Sequence, residues 1–187
     1  SNSQLDHVKE KTMNLGNSKV CLVLGGAQSG KSLFAENLTI QSSRPRRYIA
    51  TAQAWDSEME EKIAAHQVQR GLGWTTCETP IDIVEDIRAA DKKEIILLDC
   101  ITLWLTNLLM AEHNIERYSQ LLLDTLINPP CPIVIVSNEV GQGIVPENAM
   151  SRAFVKHQGN INQKLAEIAQ QVFFVTAGLP QILKGPQ

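Results

Sequence analysis

The residues of this chain best suited to chemistry lie between positions 25 and 32. They fit the pattern G-x-x-x-x-G-K-[ST] of a phosphate-binding loop, and they are Gly25, Gly26, Ala27, Gln28, Ser29, Gly30, Lys31 and Ser32. The backbone N–H groups of such a loop bind phosphate oxygens together with the positive end of the following helix. We expect Lys31 to reach the β- and γ-phosphates of a nucleotide and the Ser32 hydroxyl to ligate Mg²⁺.

The sequence on either side of this loop supports that interpretation. Residues 19–24 are apolar, which predicts a buried strand, and residues 33–38 predict a helix with Leu33, Phe34 and Leu38 on its inner face. A strand before the glycines and a helix after them is the context that phosphate binding requires. The alternative is a glycine-rich turn that binds nothing.

A second signal is the carboxylate that ends an apolar run. Residues 95–98 are Ile-Ile-Leu-Leu, and Asp99 follows them, as in a Walker B strand. A buried parallel strand delivers its last residue to the sheet edge at which ligands bind in open α/β proteins. We expect Asp99 to hold Mg²⁺ there, directly or through water. The alternative is that Asp99 caps the helix that begins near Thr102.

A third signal is a histidine between two cations. Lys62, His66 and Arg70 recur every four residues, so they share one face of the helix predicted over residues 56–70. A neutral imidazole is a competent nucleophile toward phosphorus, and the cations could hold the phosphates that it attacks. The spacing alone favours a structural histidine at the border of the core, because Ile63 lies on the adjacent stripe.

A fourth signal is the long polar loop over residues 137–148. It follows an apolar strand predicted over residues 133–137, so it should lie at the same sheet edge as the phosphate-binding loop. We expect it to face a substrate through Asn138, Glu139, Gly141 and Gly143. The alternative is a long turn whose glycines serve the backbone alone.

Alternating strands and helices must position these residues. Beyond those named above, strands are predicted over residues 47–51, 74–78 and 94–100, helices over 81–90, 102–110, 115–127 and 151–170, and a hairpin over 172–176 and 181–184. A capping box at Ser57 and Glu60 should open the helix over residues 56–70. The pattern predicts an α/β fold of the P-loop NTPase (RecA-like) type, a mostly parallel sheet with helices on both faces and a C-terminal antiparallel hairpin.

Composition bounds the class of protein. A length of 187 residues with 43% apolar residues predicts a single catalytic domain over residues 19–187, after a polar tail over residues 1–18 in which residues 6–13 could form a helix. A net charge of −3 without a basic block gives no sign of nucleic acid as a partner. No run is apolar enough to span a membrane, and no signal peptide is recognisable. Four widely spaced cysteines suit a reducing compartment, so we expect a cytoplasmic protein.

Taken in order, these motifs resemble the bifunctional adenosylcobinamide kinase / adenosylcobinamide-phosphate guanylyltransferase family. The resemblance runs from about Lys19 to Lys184. Besides the phosphate-binding loop, it rests on Tyr48-Ile49-Ala50-Thr51, Lys62-Ile63-x-x-His66-x-x-x-Arg70, Leu98-Asp99-Cys100-Ile101-Thr102 with Thr106-Asn107-Leu108-Leu109, Asn138-Glu139-Val140-Gly141-x-Gly143-Ile144-Val145-Pro146, and Asn162-Gln163.

The resemblance implies a place in cobalamin assembly and a role for His66. The family phosphorylates the aminopropanol hydroxyl of adenosylcobinamide with GTP or ATP. It then transfers GMP from GTP to a histidine, releases pyrophosphate, and passes GMP to adenosylcobinamide phosphate. By resemblance, His66 is the covalent nucleophile, against the interpretation that its spacing favours.

The resemblance also implies further nucleotide contacts and an assembly. The contacts are Thr51, Ala52, Gln53, Gln67, Val68, Gln69, Arg70, Glu78 and Asp99. A carboxylate can accept both N1–H and N2–H of guanine, so Asp99 is left with two candidate ligands, Mg²⁺ and the base. The family implies a homotrimer with active sites near subunit boundaries, and the apolar helix over residues 101–110 could supply interface surface.

Three departures from the family pattern concern charge. Gln28 stands where arginine is usual, Val155-Lys156 stands for an Arg-Asp pair, and Asn160 replaces an arginine. They predict a weakened kinase half, unless another arginine such as Arg152 or Arg44 compensates. Two rival hypotheses are an ordinary P-loop kinase with a structural His66 and a non-catalytic nucleotide-binding regulator.

Overall fold

A computed structural model describes residues 13–54, 56–141, 143 and 146–185, with only the backbone of Gln69. Most of the helix expected over residues 6–13 lies outside these ranges. The strands are β1 Val20–Gly25, β2 Arg46–Ala50, β3 Trp74–Glu78, β4 Ile95–Asp99, β5 Ile133–Asn138, β6 Gln171–Thr176 and β7 Leu179–Lys184. The helices are α1 Lys31–Gln41, α2 Ser57–Arg70, α3 Ile83–Arg88, α4 Ile101–Met110, α5 Ile115–Ile127 and α6 Ala149–Ile168.

The strands form one seven-stranded sheet in the order β3-β2-β4-β5-β1-β6-β7. All neighbouring pairs are parallel except β6 and β7, which form the predicted C-terminal hairpin. The predicted fold class is therefore confirmed. Because parallel strands all end at the same edge, the ends of β1, β2, β3, β4 and β5 present their last residues together.

Helices cover both faces of the sheet, because successive strand residues point to opposite sides. On β1, Leu22 packs into a core shared with α3, α4, α5 and α6, whereas Cys21 and Val23 pack into a second core beside α1. Phe34 of α1 meets Phe173 of β6 edge to face, with 5.1 Å between ring centroids. Helix α2 is set apart from both cores and lies at the carboxyl edge of the sheet.

One expectation about apolar residues is wrong in part, and another stays a prediction. Of the residues expected on the inner face of α1, Leu38 is buried, as expected, but Leu33 is 59% exposed, and Ala35 is buried without having been predicted. The apolar helix α4 was expected as a possible source of interface surface. Most of its large side chains are buried in the core of its own chain, which leaves few of them for such an interface. Trp104 is fully buried, and its indole N–H donates to the carbonyl of Ile81 over 2.7 Å.

The start of α2 also differs from the expectation. The helix is capped by Asp56, whose carboxylate accepts a hydrogen bond of 2.8 Å from the N–H of Met59. Ser57 is the first helical residue, so the expected capping box is wrong by one position. Asp56 is the better cap because its charge also interacts favourably with the positive end of the helix dipole.

The four cysteines are free thiols. Cys21, Cys100 and Cys131 are buried, and Cys77 is half-buried. Burial raises the pKa of the Cys21 and Cys100 thiols to about 12 and that of Cys131 to about 11, so these three thiols stay protonated and unreactive. In the described ranges, no helix is long and apolar enough to cross a membrane.

The predicted polar tail packs more closely than its composition suggests. Leu15 is buried and belongs to the second core, with Met13 packed against it. The amide of Gln171 donates to the carbonyl of Asn14 over 3.0 Å, which ties this segment to the start of β6. The packed chain therefore begins several residues before the predicted boundary at residue 19.

Candidate active site

The phosphate-binding loop connects β1 to α1 in a conformation suited to anions. Gln28 and Gly30 have positive φ angles of 55° and 91°, the kind of backbone conformation from which N–H groups form anion-binding concavities. Lys31 is buried as the first residue of α1, and its ammonium group donates to the carbonyl of Gly26 over 3.0 Å. This contact folds the lysine back along the loop, where a nucleotide phosphate would meet it.

Neighbouring segments support the loop from two sides. The N–H of Gly178, in the turn between β6 and β7, donates to the carbonyl of Ser29 over 2.7 Å. The N–H of Glu139 donates to the carbonyl of Gly25 over 3.0 Å. A Cβ atom at Gly30 would approach the Cα of Gly178 to 3.0 Å, so this glycine also permits the close contact with the turn. The loop is thus held rigidly by backbone contacts.

A cleft of about 240 Å³ opens beside this loop, between α2 and the carboxyl edge of the sheet. Seven of the residues predicted from the sequence line it, and they are Ser32, Ala52, His66, Gln67, Arg70, Glu78 and Asp99. They come from four separate elements and from the turn after β2. The fold therefore brings the first three chemical signals of the sequence into one site.

Asp99 lies at the end of β4 and is held by Tyr48. The Tyr48 hydroxyl donates to Oδ2 of Asp99 over 3.0 Å. Burial raises the pKa of Asp99, and the hydrogen bond from Tyr48 with the charges of Lys31, His66 and Arg70 reduces this rise. The alternative role of Asp99 as a helix cap is wrong, because Cys100 is the N-cap of α4.

Helix α2 reaches the cleft through its last two turns. The Arg70 guanidinium lies 3.7 Å from the centre of the Tyr48 ring, and the Gln67 amide donates to a carboxylate oxygen of Glu78 over 3.0 Å. His66 is exposed on the same face and lines the cleft. Of the two cations expected beside the histidine, only Arg70 lines the cleft. Lys62 is instead exposed and pairs with Glu58 over 3.8 Å.

Other predicted nucleotide contacts do not line the cleft with their side chains. Thr51 is fully buried, and its hydroxyl donates to the carbonyl of Cys100 over 2.7 Å while accepting the N–H of the same residue. Val68 is 82% exposed, and Gln53 does not line the cleft. Thr51 joins the ends of β2 and β4, so it shapes the site from beneath.

The loop after β5 starts next to the phosphate-binding loop, as expected. Asn138 is opposite Gly25 in the register of β5 and β1, and its N–H donates to the Thr102 hydroxyl oxygen over 2.9 Å. A buried network fixes this start, in which Asn162 accepts from the Ser137 hydroxyl over 2.7 Å and donates to the carbonyl of Asn138 over 3.1 Å. Gln142, Ile144 and Val145 lie outside the described residues.

Within this loop the carboxylate of Glu139 turns back onto the backbone. Its Oε1 accepts the N–H of Gly141 over 2.7 Å, while Gly143 has no heavy atom within 4 Å of a Cβ built on it. Asn138 and Glu139 are therefore held at the edge of the phosphate-binding loop, and Gly141 and Gly143 continue outward. The start of the loop after β5 lies beside the phosphate-binding loop, as expected of a loop that faces a ligand. Its contact with a substrate stays a prediction.

The family of the chain follows from its sequence over nearly this whole structure. The family described as cobinamide kinase / cobinamide phosphate guanyltransferase matches residues 21–183. The chain belongs to this family. The matched range includes the phosphate-binding loop, the cleft and the loop at Asn138, so the geometry above is the geometry of a member of the cobinamide kinase / cobinamide phosphate guanyltransferase family.

Individual relatives agree with this assignment. A protein of Pseudomonas aeruginosa named bifunctional adenosylcobalamin biosynthesis protein CobP is 44% identical over 167 residues, 88% of this chain and 96% of the relative. The CobU proteins of Salmonella typhimurium and Escherichia coli, also named bifunctional adenosylcobalamin biosynthesis proteins, are 40% and 38% identical over 84% of this chain. A solved protein structure from Pyrococcus horikoshii OT3 shares the fold, with a TM-score of 0.54 and 12% identity over 90% of this chain and 87% of that one.

The sequence analysis assigned no role in the site to five residues at this cleft. Tyr48, Ala50, Ile63 and Leu103 line the cleft, and Glu36 lies close enough to interact electrostatically with Asp99 and Arg70. Burial raises the pKa of Glu36, opposed first by the charge of Arg70. The alternation of side chains along a strand could have identified Tyr48. Tyr48 and Ala50 are two residues apart on β2, so their side chains lie on the same face, and both line the cleft. Glu36 follows Ser32 by four residues, one helical turn along α1.

Proposed function

We propose that this enzyme transfers the guanylyl group of GTP to adenosylcobinamide phosphate through a GMP–His66 intermediate, and that it also phosphorylates adenosylcobinamide. One observation carries the proposal. An exposed histidine and the serine of a phosphate-binding loop line the same cleft, although they lie 34 positions apart in the sequence. This placement supports a chemical role for His66 beside bound phosphates.

The proposed reaction has two steps at one phosphorus atom. An imidazole nitrogen of His66 attacks the α-phosphorus of GTP, the N–P bond forms, and the bond to the bridging oxygen breaks so that pyrophosphate leaves. A phosphate oxygen of adenosylcobinamide phosphate then attacks the same phosphorus, and the N–P bond breaks. Lys31 and the loop amides stabilise the charge that develops on the leaving pyrophosphate.

Mg²⁺ fits the residues of this site. In the described ranges, no group of three or more His, Cys, Asp or Glu side chains is arranged to hold a metal ion. A nucleotide-borne Mg²⁺ needs fewer protein ligands, because it keeps waters and binds phosphate oxygens. The Ser32 hydroxyl and the Asp99 carboxylate line one cleft, and among the described residues only Tyr48 binds the side chain of Asp99. When bound, Mg²⁺ would neutralise charge on the phosphates.

The two acidic residues of the cleft take different parts in this proposal. Asp99 and Glu78 both pair with Ala50 in register, one on each side of β2, so they stand about two strand spacings apart. Asp99 is the nearer to the phosphate-binding loop, since only β5 separates β4 from β1. We therefore assign Mg²⁺ to Asp99 and the guanine base to Glu78, whose carboxylate can accept two N–H groups.

This assignment predicts the nucleotide preference of a Glu78→Gln variant. We expect its GTP affinity to fall about 10- to 100-fold, because an amide cannot accept both guanine N–H groups, while its ATP affinity changes little. Calorimetric titration with each nucleotide measures the effect. Glu112→Gln, an exposed change after α4, is the control. An unaltered preference for GTP would mean that another group recognises the base.

The three charge departures predict a weak kinase half. Transfer of a γ-phosphoryl group needs positive charge around its oxygens, and Gln28 offers a neutral amide where arginine would offer a fixed cation. Arg44 does not compensate, because it binds the carbonyls of Lys92 and Glu94 at the opposite edge of the sheet. Arg152 is the other candidate for compensation, and its guanidinium donates to the carbonyl of Pro146 over 3.0 Å.

Side-by-side assays test this prediction. We expect phosphorylation of adenosylcobinamide to be at least tenfold slower than guanylyl transfer to adenosylcobinamide phosphate, and we expect Gln28→Arg to accelerate the kinase step selectively. Gln120→Arg adds the same charge at an exposed position of α5, away from the cleft, and serves as the control. Comparable rates in the unaltered enzyme would contradict the prediction.

Incubation with GTP labelled at the α-phosphate tests the function itself. The proposed enzyme retains an acid-labile, base-stable label, as a phosphoramidate does. A P-loop kinase with a structural histidine would transfer the γ-phosphoryl group without retaining this label. A nucleotide-binding regulator would do neither.

The remaining parts of the proposal rest on the family resemblance. It supports a homotrimer with active sites near subunit boundaries. It also supports a cytoplasmic enzyme, which agrees with four free cysteines.

A further inference from the structure

Tyr48 connects two parts of the cleft that come from distant segments. Its hydroxyl binds the carboxylate of Asp99 on β4, and its ring carries the Arg70 guanidinium of α2 on one face at 3.7 Å. Trp74 of β3 meets the ring edge to face, with 5.9 Å between centroids. The ring is therefore fixed on several sides, and it is 7% exposed.

Helix α2 has few other attachments to the sheet. None of its described side chains belongs to either buried core, and most of them are exposed. In the described part of the chain, two side-chain contacts join α2 to the sheet: the Arg70 guanidinium on the Tyr48 ring and the hydrogen bond from Gln67 to Glu78. The second of these is between exposed side chains, which stabilises weakly because water competes for both groups.

The position of His66 depends on these two attachments. Arg70 lies one helical turn beyond His66, so fixing the guanidinium also fixes the turn that carries the imidazole. A planar guanidinium stacks on an aromatic face, which an ammonium group cannot do equally well. A displacement of a reacting group by about 1 Å can lower a rate about 100-fold.

We propose that Tyr48 is a positioning residue for guanylyl transfer, whose ring docks Arg70 and thereby holds the His66 turn of α2 over the phosphate-binding loop. The proposal rests on the proposed GMP–His66 intermediate for its kinetic consequence. Its structural consequence, the docking of α2, does not depend on that intermediate. Tyr48 acts here through Arg70 and not by bonding to the reacting atoms.

Substitutions separate the ring from the hydroxyl. Tyr48→Phe keeps the aromatic face, whereas Tyr48→Leu removes it. In single-turnover labelling with α-labelled GTP, we expect Tyr48→Leu to lower the maximal rate constant about 10- to 100-fold, with less than a threefold change in half-saturating GTP. We expect Tyr48→Phe to label faster than Tyr48→Leu, because it keeps the aromatic face; a loss common to both variants reports the lost hydrogen bond to Asp99.

A double-mutant cycle tests whether Tyr48 acts through Arg70. We expect Arg70→Met to lower the rate constant similarly, and we expect Tyr48→Leu combined with Arg70→Met to be no slower than the slower single variant. Effects that multiply in the double variant would overturn the proposal. So would a Tyr48→Leu variant that labels normally, or a Tyr48→Phe variant that loses as much as Tyr48→Leu.

Amide hydrogen exchange supplies a readout that needs no labelling. Residues 57–70 should exchange faster in Tyr48→Leu and Arg70→Met but not in Tyr48→Phe, and unchanged exchange in the first two would overturn the proposal. If Tyr48→Leu does not fold, Arg70→Lys keeps the charge without the planar face, and the same loss is expected. If the unaltered enzyme takes no label, the GMP–His66 intermediate fails while exchange still decides the docking.

Discussion

A His66→Ala variant is expected to take up no label from α-labelled GTP. The substitution removes the imidazole ring, whose nitrogen bonds to GMP in the proposed intermediate. Labelling should therefore fall to background and not merely slow down. The fold should survive, because His66 is exposed on α2 and alanine favours a helix. Quantified label after base treatment, beside a thermal unfolding curve, measures both expectations.

A neighbouring substitution serves as the matched control for His66→Ala. Glu61 is exposed on the same helix and does not line the cleft, so Glu61→Ala should label normally. GTP binding by His66→Ala should also persist, because the phosphate-binding loop is unchanged. Label that survives in His66→Ala would place the nucleophile on another residue.

Lys31→Ala is expected to lose most of the affinity for GTP. The buried ammonium group at the start of α1 would supply charge-assisted hydrogen bonds to the phosphates, which are about twice as strong as neutral ones. Removing them should weaken binding about 100-fold or more, and covalent labelling should fall with it. Calorimetric titration of GTP in the presence of Mg²⁺ measures the loss.

Lys93→Ala is the control for the loss of one positive charge. Lys93 is exposed in the turn before β4, at the edge of the sheet opposite the phosphate-binding loop. Its removal should leave GTP affinity unchanged, which separates a local contact from a general effect of charge. Unchanged affinity in Lys31→Ala would contradict the assignment of residues 25–32 as the nucleotide site.

The two halves of the site make different demands on the fold. The phosphate-binding loop is fixed by backbone bonds to Gly178 and Glu139, so single side-chain changes in α2 should not disturb it. The proposed nucleophile, His66, lies on a helix that few side chains attach to the sheet. Binding and covalent labelling should therefore respond separately to substitutions in α1 and α2.

The sequence by itself determined the fold class and the phosphate-binding loop, because both are encoded locally. Continuous apolar runs such as residues 95–98 specify buried strands, and the glycines with Lys31 specify the loop conformation within eight residues. It also identified His66 and Asp99 as candidates. It could not decide the role of His66, since the spacing in the helix favoured a residue at the border of the core while the family resemblance implied a nucleophile.

The tertiary structure decided which of these residues meet. Side chains from four elements converge at the carboxyl edge of the sheet because parallel strands end there together, and no local pattern specifies the distance between His66 and Ser32. Only the folded chain shows that Arg70 stacks on Tyr48 while Lys62 turns outward to Glu58, or that Thr51 is buried beneath the cleft. These outcomes depend on long-range packing, which neighbours in the sequence do not determine.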